Sequence, residues 1–232
     1  MRASSAIVGL FVAIASLAAV ASAGAADPQY ALKVDPESRP VAERALPLLG
    51  RLATNETYQS MGFGSLDEVN RAILGTSLPV HYYWVKELKR PRSADPEAML
   101  GSEDEVVYPI EVGPETRTSV TVKKKDGFWR VAAIGSATDA HAIESVRKRL
   151  AAEKGKELTA YFLLRVPQLY LLFVGYYDAQ GKLMLASVWQ NDDFAIKAGT
   201  ELPAEDVLRI LRPAAQGYSG RALKSGPARQ SH

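Results

Sequence analysis

Residues 168–177 read QLYLLFVGYY, and both alternating sets of this run are apolar. Leu169, Leu171 and Phe173 make one set; Tyr170, Leu172 and Val174 make the other. A strand with period 2 places these sets on opposite faces. Such a strand is stable only as the centre of a sheet covered on both sides. The chain therefore needs a sheet flanked by other layers. No cysteine is present to staple a thinner arrangement, so stability must come from burial.

The pattern along the chain supplies those layers. Residues 24–40 are polar and proline-rich and predict an extended lead-in. Val41, Ala45, Leu48, Leu49 and Leu52 then follow helical spacing, with Pro47 predicting a kink or break. Ser65-Leu66-Asp67-Glu68 is a capping box, in which the serine oxygen accepts from the Glu68 N–H and the Glu68 carboxylate reaches back to the serine N–H. From Leu78 the period becomes 2, predicting a strand over 78–87. A charge-split segment follows, basic at Lys86, Lys89, Arg90 and Arg92, acidic at Asp95, Glu97, Glu103, Asp104 and Glu105. Pro91, Pro96 and Gly101 within it predict a mobile surface segment.

Strands are expected over 106–112, 118–124 and 128–134, the last two joined by an Asp126-Gly127 hairpin turn. A helix capped by Thr138 extends to about residue 153. Strands over 158–166, 168–177 and 182–190 and a helix over 203–211 complete the pattern. The expected class is α+β with a largely antiparallel sheet, two short N-terminal helices, one middle helix and one C-terminal helix. Residues 41–212 form a single domain in this reading. Two ββα sub-units could meet near residue 155, and 213–232 is expected to be a disordered basic tail.

The N-terminus points to a compartment. Arg2 precedes a nearly unbroken apolar run from Ala6 to Val20, and Ala21-Ser22-Ala23 follows. These are the three zones of a secretory signal, with cleavage expected after Ala23 and Ala25 or Ala26 as alternative exits. The run is shorter than a spanning helix requires. The chain is thus expected to be periplasmic or secreted and soluble, with no stable membrane anchor after cleavage. A formal net charge of +2 and the even mixing of acids and bases argue against a nucleic-acid partner.

The run Gly62-Phe63, Ser65-Leu66-Asp67-Glu68-Val69, Leu74-Gly75-x-x-Leu78 leads into the tyrosine-rich strand. Later come Val107-Tyr108-Pro109-Ile110, Arg117-x-Ser119-x-Thr121-Val122, Asp126-Gly127-x-Trp129 and Ile134-Gly135. This order resembles an uncharacterised group of exported bacterial proteins. The resemblance covers about a third of the chain and implies no activity and no site residue.

Candidate chemistry is sparse. The chain has three histidines, without H-x-x-x-H or H-E-x-x-H spacing, so neither a metal nor a cofactor is expected. No G-x-S-x-G elbow, Walker loop or G-x-G-x-x-G loop occurs. His81 shares its expected strand face with Tyr83, Val85 and Glu87. These, with Trp189 on a later strand, give the candidate ligand-binding set His81, Tyr83, Glu87 and Trp189. The leading expectation is a non-catalytic module that binds a protein, peptide or small ligand in the envelope, using aromatic residues that combine an apolar body with a polar tip. One alternative is a hydrolase built on His81 with Glu87 and Asp192 or Asp193. Another is an envelope scaffold that docks a partner through residues 86–105.

Overall fold

The structure, a computed structural model, describes residues 30–91 and 95–219. The expected signal, the first residues of the lead-in and the end of the expected tail lie outside them. Helices α1 (Tyr30–Glu43), α2 (Leu46–Leu52) and α3 (Leu66–Asn70) come first, then strands β1 (Ile73–Leu74) and β2 (Leu78–Tyr82) and the single turn α4 (Val85–Leu88). Next are β3 (Gly101–Val112), β4 (Glu115–Lys125), β5 (Phe128–Ile134) and the long helix α5 (Ala137–Lys154). The chain closes with β6 (Phe162–Val166), β7 (Leu171–Tyr177), β8 (Leu183–Ser187), β9 (Glu201–Pro203) and α6 (Ala204–Gly217).

The protein is α+β. Its strands form one sheet in the order β5-β4-β3-β2-β6-β7-β8-β9, with β1 beside β3. Strands β2 to β5 and β6 to β9 make two antiparallel meanders. They are joined edge to edge by a parallel pair, Val80↔Leu163, His81↔Leu164 and Tyr82↔Arg165. Each meander ends in a helix, and the two helices take opposite faces. Ile143, Val146 and Leu150 of α5 pack on Val80, Leu163 and Val174. Val207, Leu208 and Leu211 of α6 pack on Leu164, Phe173 and Leu185. Strand β7 therefore feeds both clusters, as a doubly apolar run requires. A third cluster seats α1 to α3 on β3 and β4 through Leu49, Phe63, Tyr108, Ile110 and Val122.

The hairpin turn has Asp126 at φ 53° and Gly127 at φ 81°, the left-handed pair that suits the strand twist. Gly62, just before α3, sits at a close approach of two backbone segments. Gly62 has φ 91°, and a Cβ there would sit 2.2 Å from the Arg117 carbonyl oxygen.

Several expectations change. The lead-in is helical from Tyr30 and carries Pro36 and Pro40 inside the helix. Interior prolines oppose a helix, but tertiary contacts hold this one. The Ser38 and Tyr108 hydroxyls hydrogen-bond at 2.7 Å, Arg39 lies over the Tyr108 ring and donates to the Gly75 carbonyl. The break near Pro47 falls just before it, leaving Pro47 in the first turn of α2, where its missing N–H costs nothing. The first long strand stops at Tyr82, so Trp84, Val85 and Glu87 leave it. Val85 and Leu88 are three apart and both sink into the cluster under α6. That contact overrides the alternation. The segment 86–105 is likewise tied down by buried Leu88 and Met99; residues 92–94 lie outside the described residues. Helix α6 runs past residue 211 to Gly217 because Ala215 is buried. The cap of α5 is Ser136, not Thr138. In α3 the Ser65 oxygen accepts from the Glu68 N–H as expected, but the Glu68 carboxylate accepts from the Gly64 N–H and from Arg117.

Candidate functional site

Strands β2 and β6 are parallel neighbours, but the chain leaves β2 towards β3 and leaves β6 towards β7. Where connections depart in opposite directions from adjacent parallel strands, a crevice opens outside their carboxyl ends. Here it is lined by Trp84, Val85, Lys86 and Lys89 after β2, by Gln168 after β6, and by Tyr218 at the end of α6, with a volume of about 470 Å³. That size lies within the usual range for small-molecule sites, although this crevice is open rather than enclosed.

Its floor is rigid. The Trp84 indole stacks on the Tyr82 ring at 5.0 Å between centroids and 5° between planes. Tyr82 is fixed in turn, because its hydroxyl donates to Glu105 Oε2 at 2.7 Å. Burial, and then the Glu105 hydrogen bond, push the Tyr82 phenol up to about 12, so it stays protonated as a donor at neutral pH. Glu105 is only 4% exposed. It also accepts from Arg165 at 2.5 Å and pairs with Lys123 at 3.2 Å. Arg130 of β5 is the cross-strand neighbour of Lys123. One buried carboxylate thus meets both Arg165 and Lys123.

The rim is polar. The Lys86 side chain is 79% exposed, with its nearest acid, Glu87, at 4.0 Å. Lys89 donates to the Tyr218 carbonyl at 3.3 Å. Gln168 Oε1 is buried and receives no hydrogen bond from the protein.

The residues singled out in sequence lie elsewhere or play smaller parts. His81 and Tyr83 are buried on the α6 face. The His81 ring meets Phe162 edge-on at 5.0 Å. Burial pulls its imidazole down to about 4, opposed by a backbone hydrogen bond with Gly101. The Tyr83 hydroxyl donates to the Pro96 carbonyl at 3.0 Å. Glu87 belongs to α4 and pairs with Arg90 and Lys86. Trp189 follows β8 and packs half-buried against the cluster under α5. Asp192 accepts from Gln190 within a short turn. The structure does not gather His81, Glu87 and Asp192 into one constellation, and His81 does not line the crevice. Among the described residues, no group of three His, Cys, Asp or Glu side chains could hold a metal ion. No described helix is long and apolar enough to cross a membrane.

Sequence reasoning placed Trp84 among strand aromatics and missed Lys86, Lys89, Gln168 and Tyr218 as a group. Only the strand order brings these four together. Comparison with protein-family models, curated proteins and solved structures finds no match for this chain.

Proposed function

We propose that the protein is an exported, non-catalytic binding module whose ligand sits in the crevice at the carboxyl ends of β2 and β6. The observation that carries this reading is the crevice itself, where an indole, a phenol, two lysines and Gln168 come together at the carboxyl ends of the parallel pair. Export rests on the N-terminal pattern of Arg2, the apolar run and Ala21-Ser22-Ala23. A hydrolase on His81 is less favoured. A general base must reach its proton by a hydrogen bond or one water, and this imidazole is packed against Phe162. Docking through 86–105 survives only in altered form, since α4 of that segment forms one wall of the crevice.

Thermal-shift screening of the full chain against small ligands, glycans, peptides and lipids tests the reading, because a ligand selective for the native state raises the melting temperature. We expect a shift that Trp84→Ala or Gln168→Leu abolishes and His81→Gln preserves. A shift lost only with His81→Gln, or a flat screen across all classes, would remove the crevice as the ligand site.

A further inference from the structure

The sheet ends in two strands that are closed to different degrees. Strand β9, at one end of the strand order, has three residues, finishes at Pro203 and runs straight into α6. Short strands and prolines are usual means of blunting an edge. Strand β5, at the other end, has seven residues and no proline. It pairs with β4 on one side, and no described strand pairs with its other side. A row of backbone N–H and C=O groups therefore points outward, and such a row is a template for an added strand.

Alternation sorts the side chains of β5. Trp129 and Val131 pack on the cluster that seats α1 to α3. Phe128 and Arg130 take the opposite face, across from Lys125 and Lys123 of β4. At 68% exposure, Phe128 is the most exposed large apolar side chain among the described residues. Lys123 and Lys124 have acids close by, Glu105 and Glu37. Lys125 and Arg130 are exposed and, among the described residues, form no ion pair. The open edge thus carries a phenyl ring flanked by two cations that lack an acid.

The register limits what can be added. Val122 faces Val131, but Thr121 faces Ala133, so Ala132 is an extra residue. Such a bulge bends the strand and leaves 128–131 as the regular template. A second β5 suits this template poorly. Antiparallel two-fold pairing centred on Val131 sets the regular stretch against the bulge. Centred on Arg130, it sets guanidinium against guanidinium. Centred on Trp129, it pairs only Phe128 to Arg130 before the turn intervenes.

We infer that β5 accepts an extended segment of another protein by strand addition, with an acidic residue opposite Arg130 and an apolar one opposite Phe128. Opposite-charge and aromatic–β-branched pairs are the favourable ones across strands. Strands β4 and β3 separate this site from β2, and so from the crevice.

NMR titration of the full chain with capped peptides tests the inference. The probes are Thr-Thr-Glu-Thr-Val-Thr-Thr, which sets glutamate and valine on one face for antiparallel pairing, its reversed sequence for parallel pairing, and both with lysine in place of glutamate. We expect one glutamate peptide to shift the amide signals of 128–131 and slow their exchange. Its lysine form should bind about fivefold more weakly, and Arg130→Glu should reverse that preference. Phe128→Thr should weaken every peptide by about threefold, while Trp84→Ala should change nothing. Of two forms N-methylated at neighbouring residues, one should fail, because only alternate N–H groups of an added strand face β5. Unchanged melting temperatures would show that the variants fold.

Silence at 128–131 with every peptide, or full binding by both N-methylated forms, would overturn strand addition. Equal binding of glutamate and lysine forms, or a preference that survives Arg130→Glu, would overturn the acidic partner. Dimerisation of the chain alone, abolished by Phe128→Thr, would assign the edge to a second copy instead.

Discussion

His81 is a proton-linked weak point. Its ring is 5% exposed, and burial lowers its pKa from the ordinary 6.5 to about 4. Above pH 6.5 the imidazole is neutral in both folded and unfolded chains, and it adds no pH dependence. Between 6.5 and 4 the unfolded chain takes up a proton that the folded chain refuses, so stability falls as the pH falls. At about 1.4 kcal/mol per pH unit the loss approaches 3 kcal/mol by pH 4. Urea denaturation from pH 7 to 4 should show this slope, and His81→Met should flatten it. A slope unchanged in His81→Met would assign the acid sensitivity to other groups. The same burial that makes His81 a sensor of acid denies it a part as a general base at neutral pH.

At the scale of elements, one side chain ties a helix to two loops. Arg147 of α5 is fully buried and donates to the carbonyls of Thr76 at 2.9 Å, Ser77 at 3.0 Å and Leu158 at 2.8 Å. Its charge is met by Glu144 at 2.8 Å. Breaking a buried pair from one side leaves an uncompensated charge and costs about 3–5 kcal/mol. Arg147→Met should lose at least that much in equilibrium unfolding. Adding Glu144→Leu should recover part of the loss but not all, because the Arg147 hydrogen bonds to the Thr76, Ser77 and Leu158 carbonyls stay lost. Full recovery would reduce Arg147 to a neutraliser of Glu144.

Legibility also belongs to this scale. The 128–134 strand and its Asp126-Gly127 turn were readable because alternation and turn chemistry agree there. Ser65 was readable as a cap, while the partners of Glu68 were not, since Arg117 is distant in sequence. Val85-Lys86-Glu87-Leu88 reads equally well as alternation or as one helical turn, and only the apolar pocket under α6 decides. Helix α1 was hidden by Pro36 and Pro40, whose cost is offset by contacts with β3. The crevice was beyond reach for a different reason. Trp84, Gln168 and Tyr218 are brought together by the parallel pairing of β2 with β6, and no local pattern encodes strand order.

For the molecule as a whole, the parallel pair is a seam. Leu78, Val80 and Tyr82 come from the first meander but lie in the cluster that α5 shares with Leu163 and Val174 of the second. Tyr83 and Leu88 likewise sit in the cluster under α6. Two of the three clusters draw on both halves, while the third lies within the first, so calorimetry should show one unfolding transition. Two resolved transitions would mean that the halves fold separately.

The seam also sets an order in time. All five residues of β2 are buried in the finished sheet, and one of its edges is closed only by β6, which begins at Phe162. A chain grown as far as β5 therefore carries an apolar strand with an open flank. At synthesis rates of about 5–20 residues per second that flank waits for seconds. During that wait it can pair with any similar edge nearby. A product that stops between α5 and β6 is then less a smaller protein than a seed for aggregates.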